Sequence, residues 1–347
     1  GIFSKMVTSI REEAFSPCIA YTGTRPVEYA AVPLTMYGSG ADHLESYTSM
    51  SALLEHFYAE KNTLTRIRQK SSDLRRIVQT ALERDIKKYD LQLAQMKDTE
   101  KREKYRIYGE LLNTYGYSAK PGDRSLTAVN YYTNEPVTIP LDPTLSPTEN
   151  AKKYFDKYGK LKRTYEALSE LTCQVKEEID HLETISTALD IALKEEDLVE
   201  IKEELTQSGY IRRKGGTKKA KITSKPFHYL SSDGFHIYVG KNNFQNDELT
   251  FKFATGNDWW FHAKGIPGSH VVVKTEGKEL PDRTFEEAGR LAAYYSKGRE
   301  QEKVEIDYVQ KKQIKKPAGA KPGFVVYYTN YSLMIDSDIS GIEKLSD

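Results

Sequence analysis

"DWWFHAKGIPGSHVVVK", residues 258–274, places aromatic and β-branched residues on either side of a Gly-Ile-Pro-Gly step. Such residues favour a half-buried pleated surface, and Gly and Pro together mark a turn. A strand over 258–263 sends successive side chains to opposite faces. Trp259, Phe261 and Ala263 then form a core-facing set, and Trp260, His262 and Lys264 the opposite set. Gly265 or Gly268 can take the positive φ of a turn while Pro267 fixes the bend. His270, Val272 and Lys274 follow on a return strand.

The same alternation extends outward from this hairpin. "FHYLSS" (227–232), "FHIYVG" (235–240), "LTFKFA" (249–254), "KVEIDYV" (303–309) and "FVVYYTNYSLMI" (324–335) all read as strands. One amphipathic stretch, "TFEEAGRLAAYYSKG" (284–298), reads as a helix covering the sheet. Residues 227–347 are therefore expected to form a mostly β domain with one covering helix.

Upstream the period changes. From residue 49 to 115 there is no proline, and Leu82, Ile86, Tyr89, Leu93 and Met96 are spaced 4, 3, 4, 3 like a coiled-coil seam. Residues 148–207 repeat the pattern through Tyr154, Tyr158, Leu161, Tyr165, Leu168, Val175, Ile179, Leu182 and Leu189, with Thr172 and Ser186 as polar exceptions. About sixty residues of helix reach roughly 90 Å at 1.5 Å rise, too long to hide inside a domain. Two such arms predict an antiparallel hairpin. The connector, 116–147, is rich in Pro and Gly and carries "TAVNYY" and "PVTIPL" around "TNEP", which predicts a small β-hairpin tip. "SPTEN" then opens the second arm, with Ser146 or Thr148 as cap and Pro in the first turn. Residues 208–226 carry seven Lys or Arg and no acid, and read as a flexible basic linker. Residues 1–48 read as a short helix and strand-like pieces ("CIAY", "YAAVPLTMY") with too little apolar material for a core of their own. They are expected to dock on a neighbouring domain, as the tail of a region that continues N-terminally. The fold class is α+β.

The 347 residues carry 51 basic and 50 acidic side chains, so net charge selects no partner. With Cys18 and Cys173 alone, no disulfide framework or four-thiolate metal site is encoded, which fits a reducing compartment. No apolar run is long enough to span a bilayer. His262 and His270 lack a third ligand at metal spacing. The stretch lacks the G-K-[ST] ending of a phosphate loop. Asp258 and Asp307 read as isolated strand-end carboxylates, and no nucleophile-base-acid set stands out. No catalytic activity, metal or cofactor is expected.

Three stretches point instead to nucleic acid. The Trp260, His262 and Lys264 face joins an aromatic surface to a cation, a combination suited to base stacking beside a phosphate, with His270 on the return strand. "GKNNFQND" (240–247) offers Lys241, Asn242, Asn243, Gln245, Asn246 and Asp247, side chains that cap turns or read polar edges. "QKKQIKKPAGAKPG" (310–323) places Lys311, Lys312, Lys315, Lys316 and Lys321 on a Gly-Pro backbone that cannot be helix, without one acid. Lysines on so irregular a loop suit phosphate contacts.

These motifs, with "EEAGRLAAYYSK", "KVEIDYVQKKQIKKPAGAKPG" and "LDPTLSPTENAKKYFDKYGKLKR", resemble the NFACT family, in order and over nearly the whole chain. One departure is Trp259, where an aliphatic residue is more usual. The resemblance implies a C-terminal RNA-binding domain and a role in cytoplasmic ribosome-associated quality control. It implies tRNA and the large ribosomal subunit carrying a stalled chain as partners, the coiled-coil tip addressing the stalk base. In bacterial members the outcome is an untemplated alanine tail. A second implication is adhesion at the cell surface, because other members are described as fibronectin- or fibrinogen-binding.

Overall fold

A computed structural model describes residues 7–8, 10–12, 15–22, 25–34, 42–213 and 224–345. Most of the helix expected near the N-terminus, the last three residues of "YAAVPLTMY" and the centre of the basic linker lie outside them. The architecture is α+β, with a long helical hairpin region and a C-terminal antiparallel sheet. The chain divides into two compact units, 82–180 and the combination of 1–81 with 181–347.

Each predicted arm is two helices. The first comprises α1 (Met50–Asp98) and α2 (Arg102–Tyr115), the second α3 (Pro147–Ile191) and α4 (Glu195–Gln207). At the first break Thr99 turns its hydroxyl and its N–H onto the Met96 carbonyl, at 2.6 and 2.9 Å. This tightens the last turn of α1 without a proline. At the second break the Asp197 carboxylate accepts the Leu193 and Lys194 N–H groups, at 3.0 and 2.9 Å, and caps α4.

In the unit 82–180, Thr172 on α3 donates to the Met96 sulfur on α1 at 3.5 Å, and the Arg102 guanidinium lies 4.1 Å from the centroid of Tyr165. Descending numbers on one arm meet ascending numbers on the other, as antiparallel pairing requires. The α3 seam is the one the spacing predicts, with each named position buried or half-buried. The α1 seam differs. Ile86 and Leu93 are 43% and 41% exposed, while Asp85, Gln92 and Thr99 are buried. The true stripe, Leu74, Val78, Ala81, Asp85, Tyr89, Gln92 and Met96, carries polar residues at two seam positions, so apolarity alone misplaces the face.

Strands β4 (Ser125–Asn130) and β5 (Glu135–Pro140) form the expected hairpin, with Asn130 paired to Glu135 and Asn134 at φ 59° in the turn. Alternate β4 side chains pack on α2 and the start of α3, around Leu111, Leu112, Ile139 and Tyr154. Ser146 is the cap of α3. Its hydroxyl accepts the Glu149 N–H at 3.3 Å, and the Glu149 carboxylate accepts the Ser146 N–H at 2.8 Å.

In the other unit, β1 (Cys18–Thr22), β2 (Arg25–Ala30) and β3 (Asp42–Ser46) form an antiparallel sheet in the order β2-β1-β3. Ile19 and Tyr21 pack on Leu53 and Phe57 of α1. The C-terminal sheet comprises β6 (Phe227–Leu230), β7 (His236–Val239), β8 (Trp259–Ala263), β9 (Val271–Val273), β10 (Val304–Gln310), β11 (Tyr331–Ile335) and β12 (Glu343–Lys344). Their order is β11-β10-β8-β9-β7-β6-β12, antiparallel throughout. The helix α6 (Asp282–Tyr294) covers one face, over a core that includes Phe261, Ala263, Val271, Leu291 and Ile306.

"LTFKFA" is not a strand. The Asn242 side-chain oxygen Oδ1 accepts the Gln245 N–H at 3.0 Å and starts a short helix, α5 (Asn243–Glu248), which runs on into a π-helical turn over Leu249–Phe253. Of "FVVYYTNYSLMI" only β11 is strand. Residues 324–330 form a loop, tied at one point by a bridge between Lys315 and Val326.

Candidate nucleic-acid interface

The alternation predicted for β8 holds, but its second face is not open to solvent. Register places Tyr238, Val272, Trp260 and Val309 side by side across β7, β9, β8 and β10. Leu249, Ala254 and Ile314 close over this row as a second core. Trp260 is 1% exposed, with His262 stacked on it at 5.6 Å and His270 edge-on at 5.0 Å. A base therefore cannot reach Trp260, which corrects the exposed stacking face expected from sequence. The signal was ambiguous because strands buried on both faces also carry aromatics on both.

The two imidazoles are structural. His270 is buried and shares a 2.7 Å hydrogen bond with Thr250, and burial drives its pKa far down. His262 is half-buried, and desolvation pushes it down to about 4. Both are neutral at neutral pH and offer no charge to a phosphate. Lys264 is exposed, but its ammonium donates to Glu305 at 2.6 Å.

The amide run faces inward as well. Asn242 and Gln245 donate to one oxygen of Glu200 at 2.7 and 2.8 Å. Asn243 donates to Glu204 and to Thr184, both at 2.7 Å. The Lys241 ammonium lies 3.5 Å from Asp197, and the Asn246 oxygen accepts the His270 N–H at 2.9 Å. Lys241, Asn242, Asn243, Gln245 and Asn246 are all buried. All but Asn246 form a polar seam against Asp197, Glu200 and Glu204 on one face of α4, not a reader of bases. Burial raises Glu200 and takes Glu204 up to about 8, so Glu204 is a neutral acid at pH 7. Asp247, half-buried, accepts the Gly323 N–H at 2.9 Å and pairs with Lys316.

Asp258 and Asp307 are partnered rather than isolated. Burial works against charge on Asp258, but Lys274, Thr255 and Thr275 donate to it and hold its pKa below the usual carboxylate range. Asp307 accepts from Tyr327 at 2.8 Å and Ser332 at 2.6 Å.

What stays on the surface is the lysine loop. Lys312, Lys315 and Lys316 are exposed, and Lys311 and Lys321 half-buried. The backbone beneath is fixed, because Lys311 N–H donates to Asp258 O, Lys312 N–H to Gly256 O and Lys315 N–H to Val326 O, at 2.9, 3.0 and 2.9 Å. Lys311 and Lys316 lie 5.7 and 5.8 Å from the centroid of Phe251 on the π-turn. Sequence reading missed the π-turn residues Phe251, Lys252 and Phe253, because their alternation imitates a strand. Among the described residues no group of three His, Cys, Asp or Glu could hold a metal ion, and no helix is long and apolar enough to cross a membrane.

Comparison with known proteins matches the family model for NFACT N-terminal and middle domains to residues 1–224, and that for the NFACT protein RNA binding domain to 225–328. The protein "Rqc2 homolog RqcH" of Streptococcus pneumoniae is 39% identical over 330 residues, 95% of this chain and 58% of that one. Its counterparts in Streptococcus suis and Bacillus subtilis are 41% and 34% identical, over 88% and 98% of this chain. The chain thus spans between 55% and 59% of the lengths of these relatives. A solved structure, the C-terminal part of the fibronectin/fibrinogen-binding protein from Streptococcus suis, superposes with a TM-score of 0.64 at 37% identity, covering 80% of this chain and 99% of that one. The chain belongs to the NFACT family and carries that family's RNA-binding domain.

Proposed function

We propose that this chain binds RNA through the lysine loop 311–321, as part of a protein of ribosome-associated quality control. The observation that carries the reading is the loop itself. It holds five lysines without an acid, on a backbone pinned at three points, in the domain that matches an RNA-binding family model. A fixed cationic loop meets phosphates without first being ordered. In this reading the RNA is tRNA, and the large ribosomal subunit with its stalled chain is the second partner. The β4–β5 tip addresses the stalk base, the whole protein supports alanine tailing, and the compartment is the cytoplasm. The relatives named RqcH support the assignment to this pathway.

A second reading has one observation in its favour, the fibronectin/fibrinogen-binding description of the solved relative. It would put the lysine loop against an acidic extracellular protein at the cell surface. One experiment separates the two: tRNA and fibronectin titrated side by side at several salt concentrations. Tight, strongly salt-dependent tRNA binding with weak fibronectin binding supports the RNA reading. Fibronectin binding without tRNA binding overturns it.

A further inference from the structure

With Trp260 buried, the domain's stacking surface must be sought elsewhere. The π-turn Leu249–Phe253 holds the ring of Phe253 at the surface, 39% exposed, with Lys252 exposed beside it and Phe251 half-buried. Single π-turns are costly and concentrate at functional sites. Phe253 is also the first ring of a continuous row. It meets Tyr238 edge-on at 4.6 Å, and Tyr238 stacks on His228 at 4.3 Å with the planes 10° apart. His228 and His236 share a 2.9 Å hydrogen bond between ring nitrogens. Tyr238, His228 and His236 are all half-buried.

Cations stand against the rings of the π-turn. The Lys274 ammonium lies 5.0 Å from the Phe253 centroid, and Lys311 and Lys316 stand over Phe251. The nearby carboxylates of Asp258 and Asp247 are engaged by Lys274 and Lys316. Burial first, then the negative charge of Glu276, raises the pKa of Tyr238. Aromatic faces beside a cationic track are what a single strand needs, with bases on the rings and phosphates on the lysines.

We infer that Phe253, with Tyr238 and His228 behind it, is a base-stacking platform for unpaired RNA, and that the strand's phosphates run toward Lys252 and the lysine loop. This rests on the RNA reading above and adds to it the class of RNA, single-stranded rather than duplex. The face does not require a particular base, because every base has a π-face.

The test uses the full chain and two labelled probes, a single-stranded mixed-sequence RNA oligonucleotide and the same sequence as a duplex. Phe253→Ala and Phe253→Leu are each expected to weaken single-strand binding roughly tenfold with the salt slope unchanged, as loss of one stacked base would. Phe253→Trp is expected to restore it, and duplex binding to stay as it was. The Leu variant keeps apolar bulk, so its loss of affinity reports the ring rather than the fold, and matching melting curves confirm that. Unchanged single-strand affinity in both Phe253→Ala and Phe253→Leu overturns the platform, as does failure of the unaltered chain to bind the single strand. If those variants bind normally while Lys312→Gln with Lys315→Gln loses affinity, the platform fails and the RNA reading survives. If neither set moves affinity, both fail.

Discussion

Glu204→Gln is the perturbation whose size follows most directly from the structure. Glu204 is buried on α4 and accepts from Asn243 at 2.7 Å, while its second oxygen has no partner among the described residues. Burial first, then the carboxylates of Glu200 and Asp247, raise its pKa from 4.5 to about 8. The unfolded chain releases this proton near pH 4.5 and the folded chain keeps it to about 8. Within that window the folded state binds more protons, so stability falls as pH rises. Linkage puts the loss between pH 5 and pH 8 at about 3 kcal/mol. The histidines act with the opposite sign. His181 and His262, lowered to about 4, lend stability that grows as pH rises from about 4 to 6.5. The pH profile of one protein therefore mixes both effects, and the difference between parent and variant isolates Glu204.

Glutamine keeps the oxygen that Asn243 needs and replaces the retained proton with an amide. At pH 5 the two proteins should be nearly equal in stability. By pH 8 the variant should be more stable by ~3 kcal/mol, measured by urea unfolding at constant ionic strength. A difference that stays flat from pH 5 to 8 refutes the neutral buried acid. If instead Glu204 is ionised against a protonated His181, whose Nε2 lies 3.7 Å away, the variant will be the weaker protein at both ends.

Lys312→Gln with Lys315→Gln should flatten the log–log salt dependence of tRNA binding by about one to two units, and an unchanged slope would remove the loop from the interface. Gly265 sits at φ 66°, and Gly265→Val should cost about 1–3 kcal/mol in backbone strain. Gly268→Val should also destabilise, but by crowding, because a Cβ there would stand 3.0 Å from the Ser296 side chain and 3.3 Å from its Cα; chemical denaturation that overlays the parent for either variant would contradict these contacts. Trp260→Ala should cost ~3–5 kcal/mol as a core cavity, and any loss of RNA affinity should track the unfolded fraction. Asp247→Ala removes a negative charge beside the lysines yet frees Gly323 N–H and Lys316; if loop placement matters more than net charge, tRNA binding weakens, and a gain in affinity would show the reverse.

The sheet, its covering helix, the helical hairpin and its β-hairpin tip were legible because each rests on a repeating period. The errors share one cause, which is that period does not say what covers a face. Trp260 alternates correctly with Phe261, but only the tertiary fold brings Leu249 and Ile314 over it. Asn242, Asn243 and Gln245 are polar residues of a kind normally exposed, and nothing local signals that Glu200 and Glu204 meet them from some forty residues upstream. "LTFKFA" fits a strand by alternation, and Asn242, the cap immediately before α5, was the competing signal. The irregular backbone of the lysine loop was readable from its Gly and Pro residues, whereas the short turn over Lys311–Gln313 and the burial of Ile314 were not.

The seam between α4 and the amide run does more than join two parts of the chain. An apolar contact tolerates sliding, whereas a buried carboxylate left without its donor costs several kcal/mol, so these hydrogen bonds select one register. Glu200 is met by Asn242 and Gln245, Glu204 by Asn243, and Asp197 by Lys241 and Ser224. The same short helix also presents Asp247 to Gly323 and Lys316, and runs into the π-turn that carries Phe253. The placement of α5 on α4 thus fixes both ends of the proposed RNA surface, the lysines through Asp247 and the exposed ring through the π-turn. A buried polar seam at this point makes the position of that surface a property of the helical region as well as of the sheet beneath it.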